Sequence, residues 1–209
     1  MDFVTRLPRL PGVGDCVTDG QFTLAFGGKG ANTAVAAARL GKTSSTTFIT
    51  ALGDDLYAPR LLESFRNDGL DVSRARKQPG QPTGCALIML DDAGRNYIAV
   101  APGANDALSP ADIDASADLL RSADVVLTQM EIPLETVRRT IDVAARAGVR
   151  VLLNYAPVRS KELELDSRIS ALVVNESEAS QLSGINVGDI ESARQAAAVL
   201  RQRGPVTVV

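Results

Sequence analysis

Histidine is absent from all 209 residues. That excludes a Ser-His-Asp relay, a His-paired cysteine nucleophile and a His-ligated zinc site together. Only two cysteines occur, Cys16 and Cys85. They stand far apart without metal-ligand spacing and read as two buried thiols in a reducing cytoplasm, although the sequence leaves a disulfide open. No stretch reaches the roughly 18 apolar residues of a membrane span, and the opening MDFVTRLPRLPG lacks the apolar core of a secretion signal. An excess of one charge is missing too. The 22 Lys+Arg against 25 Asp+Glu give a net −3 with no run of like charges, so no nucleic-acid surface is expected. No internal repeat, low-complexity tract or linker stands out. What remains is ordinary globular composition, 45% apolar and 22% charged, in a chain long enough for one sizeable core. A soluble cytoplasmic protein is expected, with neither nucleic acid nor membrane as partner.

The second half alternates two hydrophobic periods. VVLTQM at Val125–Met130, VRVLLN at Val149–Asn154, ALVV at Ala171–Val174 and PVTVV at Pro205–Val209 read as strands. Helical stretches at Leu134–Ala147 and Glu191–Arg203 are each closed by a glycine, Gly148 and Gly204. Strand and helix in turn at these lengths predict βαβ units and a mainly parallel sheet with helices on both faces. Earlier in the chain, Gly84–Leu90 and Tyr97–Ala101 flank the polar DDAGRN, which predicts a β-hairpin in a smaller sheet. Ser109-Pro110-Ala111-Asp112 supplies a cap, a first-turn proline and an acidic third position for a helix start.

Two groups of residues could carry chemistry. In AFGGKGANTAVAAARLG, Ala25–Gly41, a glycine-rich turn opens an alanine-rich helix. Glycines let backbone approach a ligand, free amides at the helix start suit an anionic or hydroxyl-rich partner, and Asn32 offers donor and acceptor at once. The same residues would also serve as a tight strand-to-helix turn. Two phosphate motifs fail here. Gly41-Lys42-Thr43 has Ala36 where a P-loop needs glycine, and Gly28-Lys29-Gly30 has Thr33 at the third glycine of a dinucleotide fingerprint. The second group follows strand ends: Glu131, Asn154, and Asn175 with Glu178 in NESE. Each alone could be a loop cap, but ligands of open parallel sheets bind beyond the carboxyl ends of strands, so their joint placement predicts one rim.

Together these segments resemble the PfkB carbohydrate kinase family, closest to its ribokinase branch. The likeness rests on AFGGKGANTAVAAARLG, Gly53-Asp54-Asp55, PTGCALIMLDDAGRNYIAVAPGAN at Pro82–Asn105, QMEIPLETV at Gln129–Val137, LNYAPV at Leu153–Val158 and NESEASQLSGI at Asn175–Ile185. It implies a ribokinase-like doubly wound α/β fold over 1–209, a single domain incomplete at both ends. A small β-sheet lid would come from about 2–26 and 83–103. Gly28, Lys29, Gly30, Ala31 and Asn32 would line the sugar pocket, Asp2 would grip sugar hydroxyls, and Glu131 would sit by the substrate. Asn175 would meet the nucleotide phosphates of ATP, and Glu178 the water shell of Mg2+. A homodimer through the lid, and a monovalent cation such as potassium, are further implications.

The departures from that family pattern are specific. No strand ending in Gly-Ser-Asn precedes Asp2, the Gly41–Gly53 connection is slightly long, and the Gly-Ala-Gly-Asp motif does not occur. That motif would carry the anion hole and the catalytic aspartate, so no catalytic residue is assigned within 1–209. The expected activity of a complete protein is ATP-dependent phosphorylation of a sugar hydroxyl, O5 of D-ribose first, with these 209 residues inactive by themselves. The alternatives are a PfkB-type kinase for fructose, a sugar acid or a nucleoside, and a non-catalytic sugar-binding remnant.

Overall fold

In the computed structural model, which describes residues 1–41, 44–159 and 162–209, the chain divides into two units, Met1–Ala107 and Leu108–Val209. Lys42 and Thr43 of the failed P-loop triplet lie outside the described residues. Both cysteines are free thiols, but Cys16 is exposed and Cys85 half-buried, so the expectation of two buried thiols is not met.

The first unit opens with β1 (Asp2–Leu7) and β2 (Gln21–Ala25), then α1 (Lys29–Leu40). Next come β3 (Thr46–Thr47), β4 (Thr50–Gly53), α2 (Tyr57–Asn67), β5 (Leu70–Asp71) and β6 (Ala75–Gln78). The expected hairpin follows as β7 (Cys85–Asp91) and β8 (Asn96–Ala101), ahead of a 3-10 turn at Gly103–Ala107. One mixed sheet runs in the order β2-β1-β7-β8, with β1 parallel to β7 and its other neighbours antiparallel. The hairpin is closed by Asp91, whose carboxylate accepts the Ala93 N–H at 3.0 Å, the Arg95 N–H at 2.9 Å and the Arg95 Nε–H at 2.8 Å. Parallel pairs β3–β5 and β4–β6 are two to four residues long. Their residues, TT, TALG, LD and ARKQ, form no apolar β-branched run, which is why the sequence pattern marks no strand there. Ala58, Leu61 and Phe65 of α2 follow the 3-4 spacing of one helix face and meet Met1, Leu52 and Leu70 in this unit's core.

The second unit holds α3 (Pro110–Asp114), α4 (Ala117–Ser122), β9 (Val125–Gln129), α5 (Leu134–Arg146) and β10 (Arg150–Asn154). It ends with β11 (Ala171–Val173), α6 (Glu176–Ser183), α7 (Ile190–Gln202) and β12 (Thr207–Val208). The four strands are all parallel, in the order β12-β11-β10-β9. Ser109 caps α3 as its sequence predicts, giving its N–H to Asp112 at 2.8 Å and its hydroxyl at 2.7 Å. Val151 and Leu153, alternate residues of β10, are fully buried with Leu172 against Val137, Ile141 and Ala144 of α5. On the other face, Leu127 is 44% exposed and Val125 and Val173 are exposed as well, so the described residues close one side of this sheet. Among the described residues no helix is long and apolar enough to cross a membrane.

Candidate functional site

In the first unit, strand pairing carries Asp2 to the glycine turn. The β1–β2 register sets Asp2 opposite Ala25, and β7 flanks it with Ala86. From there its carboxylate lies over Gly27, where a Cβ would overlap the carboxyl carbon and both oxygens. Gly28 is the N-cap of α1 with φ 105°, a backbone that side chains rarely adopt. Its carbonyl accepts the Asn32 N–H at 2.8 Å and so starts the helix. Helix α1 has no side-chain cap and no acidic residue in its first turn. Its amides and the positive end of its dipole therefore face whatever lies beyond the turn. Lys29, Gly30 and Ala31 form that first turn, and the Lys29 carbonyl accepts the Thr33 hydroxyl at 2.8 Å. Asn32 is exposed and borders a groove of about 580 Å³, lined also by Phe26, Ala36, Arg39 and Asp68. Asp2, Gly27 and Gly28 do not line that groove; the carboxylate over the turn, the Asn32 carboxamide and the amides at the helix start each offer an acceptor or donor of the kind a polyhydroxyl compound requires.

In the second unit, the three strand ends do share one rim. The parallel register sets Asn154 level with Gln129 at the end of β9 and with Val173 at the end of β11. The Asn154 side-chain amide donates to the Val173 carbonyl at 3.1 Å, so Asn154 ties two strand ends together. Glu131 follows β9, and its N–H is held by the Gln129 carboxamide oxygen. Asn175 and Glu178 form a capping box at the start of α6. Glu178 N–H donates to Asn175 Oδ1 at 2.8 Å, and Asn175 N–H donates to Glu178 Oε2 at 2.9 Å. Glu178 is only 8% exposed. This carboxylate is fixed, with one oxygen committed to backbone. Among the described residues no group of three or more His, Cys, Asp or Glu is placed to hold a metal. A single anchored carboxylate suits an ion met through water.

Asp2 and Gly28 to Asn32 thus belong to the first unit, and Glu131, Asn175 and Glu178 to the second. A further cluster, without an assigned role in the sequence pattern, joins the GDD and PTG segments. Asp55 accepts the N–H groups of Tyr57 (2.9 Å) and Ala58 (3.2 Å), the Thr83 hydroxyl (2.9 Å) and the Thr83 N–H (2.6 Å). The Thr83 hydroxyl oxygen also accepts the buried Gly53 N–H at 3.0 Å. Burial pushes the Asp55 carboxyl up, but the hydrogen bonds from Thr83, Tyr57 and Ala58 outweigh it and hold it below its ordinary value. Gly53 must lack a side chain because the backbone of Gln81–Thr83 occupies that space. The sequence signal for this cluster is an Asp two residues before a helix together with a glycine beside it.

Comparison with known proteins gives the family and the fold. The sequence pattern of the pfkB family of carbohydrate kinases matches residues 1–209. A ribokinase of Haemophilus influenzae is 36% identical over 208 residues, 100% of this chain and 67% of its own length. A deoxyribokinase of Salmonella typhi is 34% identical over 205 residues, 98% of this chain and 66% of its own. The solved structure of Arabidopsis thaliana ribokinase with ribose and ATP superposes with a TM-score of 0.83 at 31% identity, covering 99% of this chain and 67% of that one. The chain therefore spans about two thirds of the length of these relatives. With its glycine turn, strand-end rim and ribokinase-like α/β fold, this chain belongs to the pfkB family of carbohydrate kinases.

Proposed function

We propose that residues 1–209 carry the sugar-binding part, and some of the nucleotide environment, of an ATP-dependent kinase acting on O5 of D-ribose. The observation that carries this reading is the Asp2 carboxylate lying over the Gly27-Gly28 turn at the uncapped start of α1. Asp2 and Asn32 take the sugar hydroxyls, Gly28, Lys29, Gly30 and Ala31 line the pocket, and Glu131 sits by the substrate. Asn175 serves the ATP phosphates, and Glu178 orients water around Mg2+. When bound, Mg2+ supplies neutralisation of phosphate charge. A monovalent cation, potassium, is part of the same proposal, as is a cytoplasmic location.

In the proposed reaction a bond forms between O5 and the γ-phosphorus while the bond to the β-phosphate oxygen breaks, and the O5 proton passes to a base. Residues 1–209 position the acceptor hydroxyl and do not contain that base, so they show no turnover alone. The sheet β2-β1-β7-β8 serves as the lid over the sugar and as a homodimer surface. Phe22, Leu87 and Tyr97 are exposed on one face of this sheet and Ile98 and Val100 on the other, consistent with two faces that each meet something apolar. Similarity to a deoxyribokinase supports a second reading, 2-deoxy-D-ribose as the acceptor.

Calorimetric titration with D-ribose, 2-deoxy-D-ribose and D-fructose tests both readings. Tightest binding of D-ribose, weakened by Asp2→Asn, is the expected result. Preference for the deoxy sugar would transfer the proposal to the second reading, and for D-fructose to another kinase of the family. Ribose binding indifferent to Asp2→Asn would remove Asp2 from the site. Sugar phosphorylation above background by these 209 residues would show that they do hold a base.

A further inference from the structure

We infer that Gly27 is a positioning residue whose missing side chain sets where the Asp2 carboxylate stands. This inference rests on the sugar-binding reading of Asp2. The two adjacent glycines of the turn are glycine for different reasons. Gly28 has φ 105°, so the backbone itself demands it. Gly27 lies outside the left-handed range and could accommodate a side chain as far as its own backbone is concerned. What a Cβ there would displace is the Asp2 carboxyl group, all three atoms of which occupy the space a methyl group would take.

Asp2 has little freedom to give way by moving its main chain, because it is paired on both sides, with Ala25 and with Ala86. A side chain at position 27 therefore forces the carboxylate to rotate off the turn. Among the described residues no hydrogen bond or ion pair holds the Asp2 carboxylate. The missing side chain at Gly27 leaves the room it occupies, one residue before the N-cap of α1. An acceptor without internal partners, standing over the turn that opens α1, is placed for hydroxyls of a sugar. Gly27 touches no substrate in this arrangement. It acts through Asp2.

A double-mutant cycle on the 209-residue chain separates this role from a general structural one. Gly27→Ala is expected to lower D-ribose affinity by about tenfold or more, the weight of one charge-assisted hydrogen bond, and to lower the melting temperature. In the Asp2→Ala background the clash is gone. There, adding Gly27→Ala is expected to leave affinity unchanged and the melting temperature equal or raised, since alanine restricts the unfolded chain. An equal loss of melting temperature in both backgrounds would overturn the inference, as would wild-type ribose affinity in Gly27→Ala. If Asp2→Ala itself leaves ribose binding intact, the sugar reading of Asp2 fails and the positioning of a sugar ligand falls with it. The melting-temperature cycle then still reports whether Gly27 and Asp2 exclude one another, so the two failures are distinguishable.

Discussion

Replacing Thr83 by valine keeps the shape of a buried side chain and removes only its hydroxyl. That hydroxyl makes two hydrogen bonds, donating to Asp55 at 2.9 Å and accepting the buried Gly53 N–H at 3.0 Å. The first involves a carboxylate and is worth about 2 kcal/mol, the second about 1 kcal/mol. Thr83→Val should therefore destabilise the chain by about 3 kcal/mol. With a urea slope of about 2 kcal/mol/M, the unfolding midpoint falls by about 1.5 M at unchanged slope. Thr83→Ser keeps the hydroxyl and loses one methyl group, at a cost of about 1 kcal/mol. Circular dichroism during urea unfolding reads all three proteins, and amide exchange at Gly53 reports the local bond. A Thr83→Val loss below about 0.5 kcal/mol, or a serine variant as damaged as the valine, would refute the bridging role assigned to this hydroxyl. The pH dependence carries the same logic. The folded chain holds the Asp55 proton less readily than the unfolded chain, so this contribution is present in full above the ordinary value of 3.8 and is lost as pH falls through the lower folded value. Thr83→Val weakens that acid sensitivity by removing one of the bonds that produces it.

Asn175→Ala breaks the capping box of α6 and should cost about 1 kcal/mol in thermal unfolding, whereas Asn175→Asp keeps an acceptor for the Glu178 N–H and should cost less. Nucleotide affinity measured on the two variants separates capping from phosphate contact. Gly28→Ala forces a side chain onto φ 105° and should destabilise by roughly 1–3 kcal/mol, read by thermal melting. Leu153→Ala should cost roughly 2–5 kcal/mol in urea unfolding, because Leu153 is fully buried, while Leu127→Ala at a 44% exposed position should cost far less.

Local interactions were legible in the residues themselves. The capping box of Ser109 and Asp112 spans three positions and was read as a helix start from its own segment, whereas the Asn175 and Glu178 pair, which spans the same three, was read only as a strand-end site. Its double role was harder to see: the side chains named for nucleotide and metal are also those that build the cap. The hairpin was visible because Cys85–Asp91 and Asn96–Ala101 are long enough to show strand composition around a polar turn. Strands β3 to β6 were invisible because TT, TALG, LD and ARKQ form no apolar β-branched run, whereas the equally short β11 and β12 sit in ALVV and PVTVV.

Composition and period by themselves determined that this chain builds an α/β fold with parallel strands, and the GGKGAN and NxxE segments determined its family resemblance. Each of those properties depends on residues within one turn or one strand. Tertiary structure alone decided that Asp2 lies over Gly27, and that Asp55 reaches Thr83 across 28 positions. It also decided that Asn154 meets Val173 at a common rim. Those contacts depend on strand register, and register is settled only when β1 selects β2 and β7, and β10 selects β9 and β11, as partners. A shift of one residue would turn Asp2 to the opposite face of its sheet and leave Gly27 with no reason to be glycine.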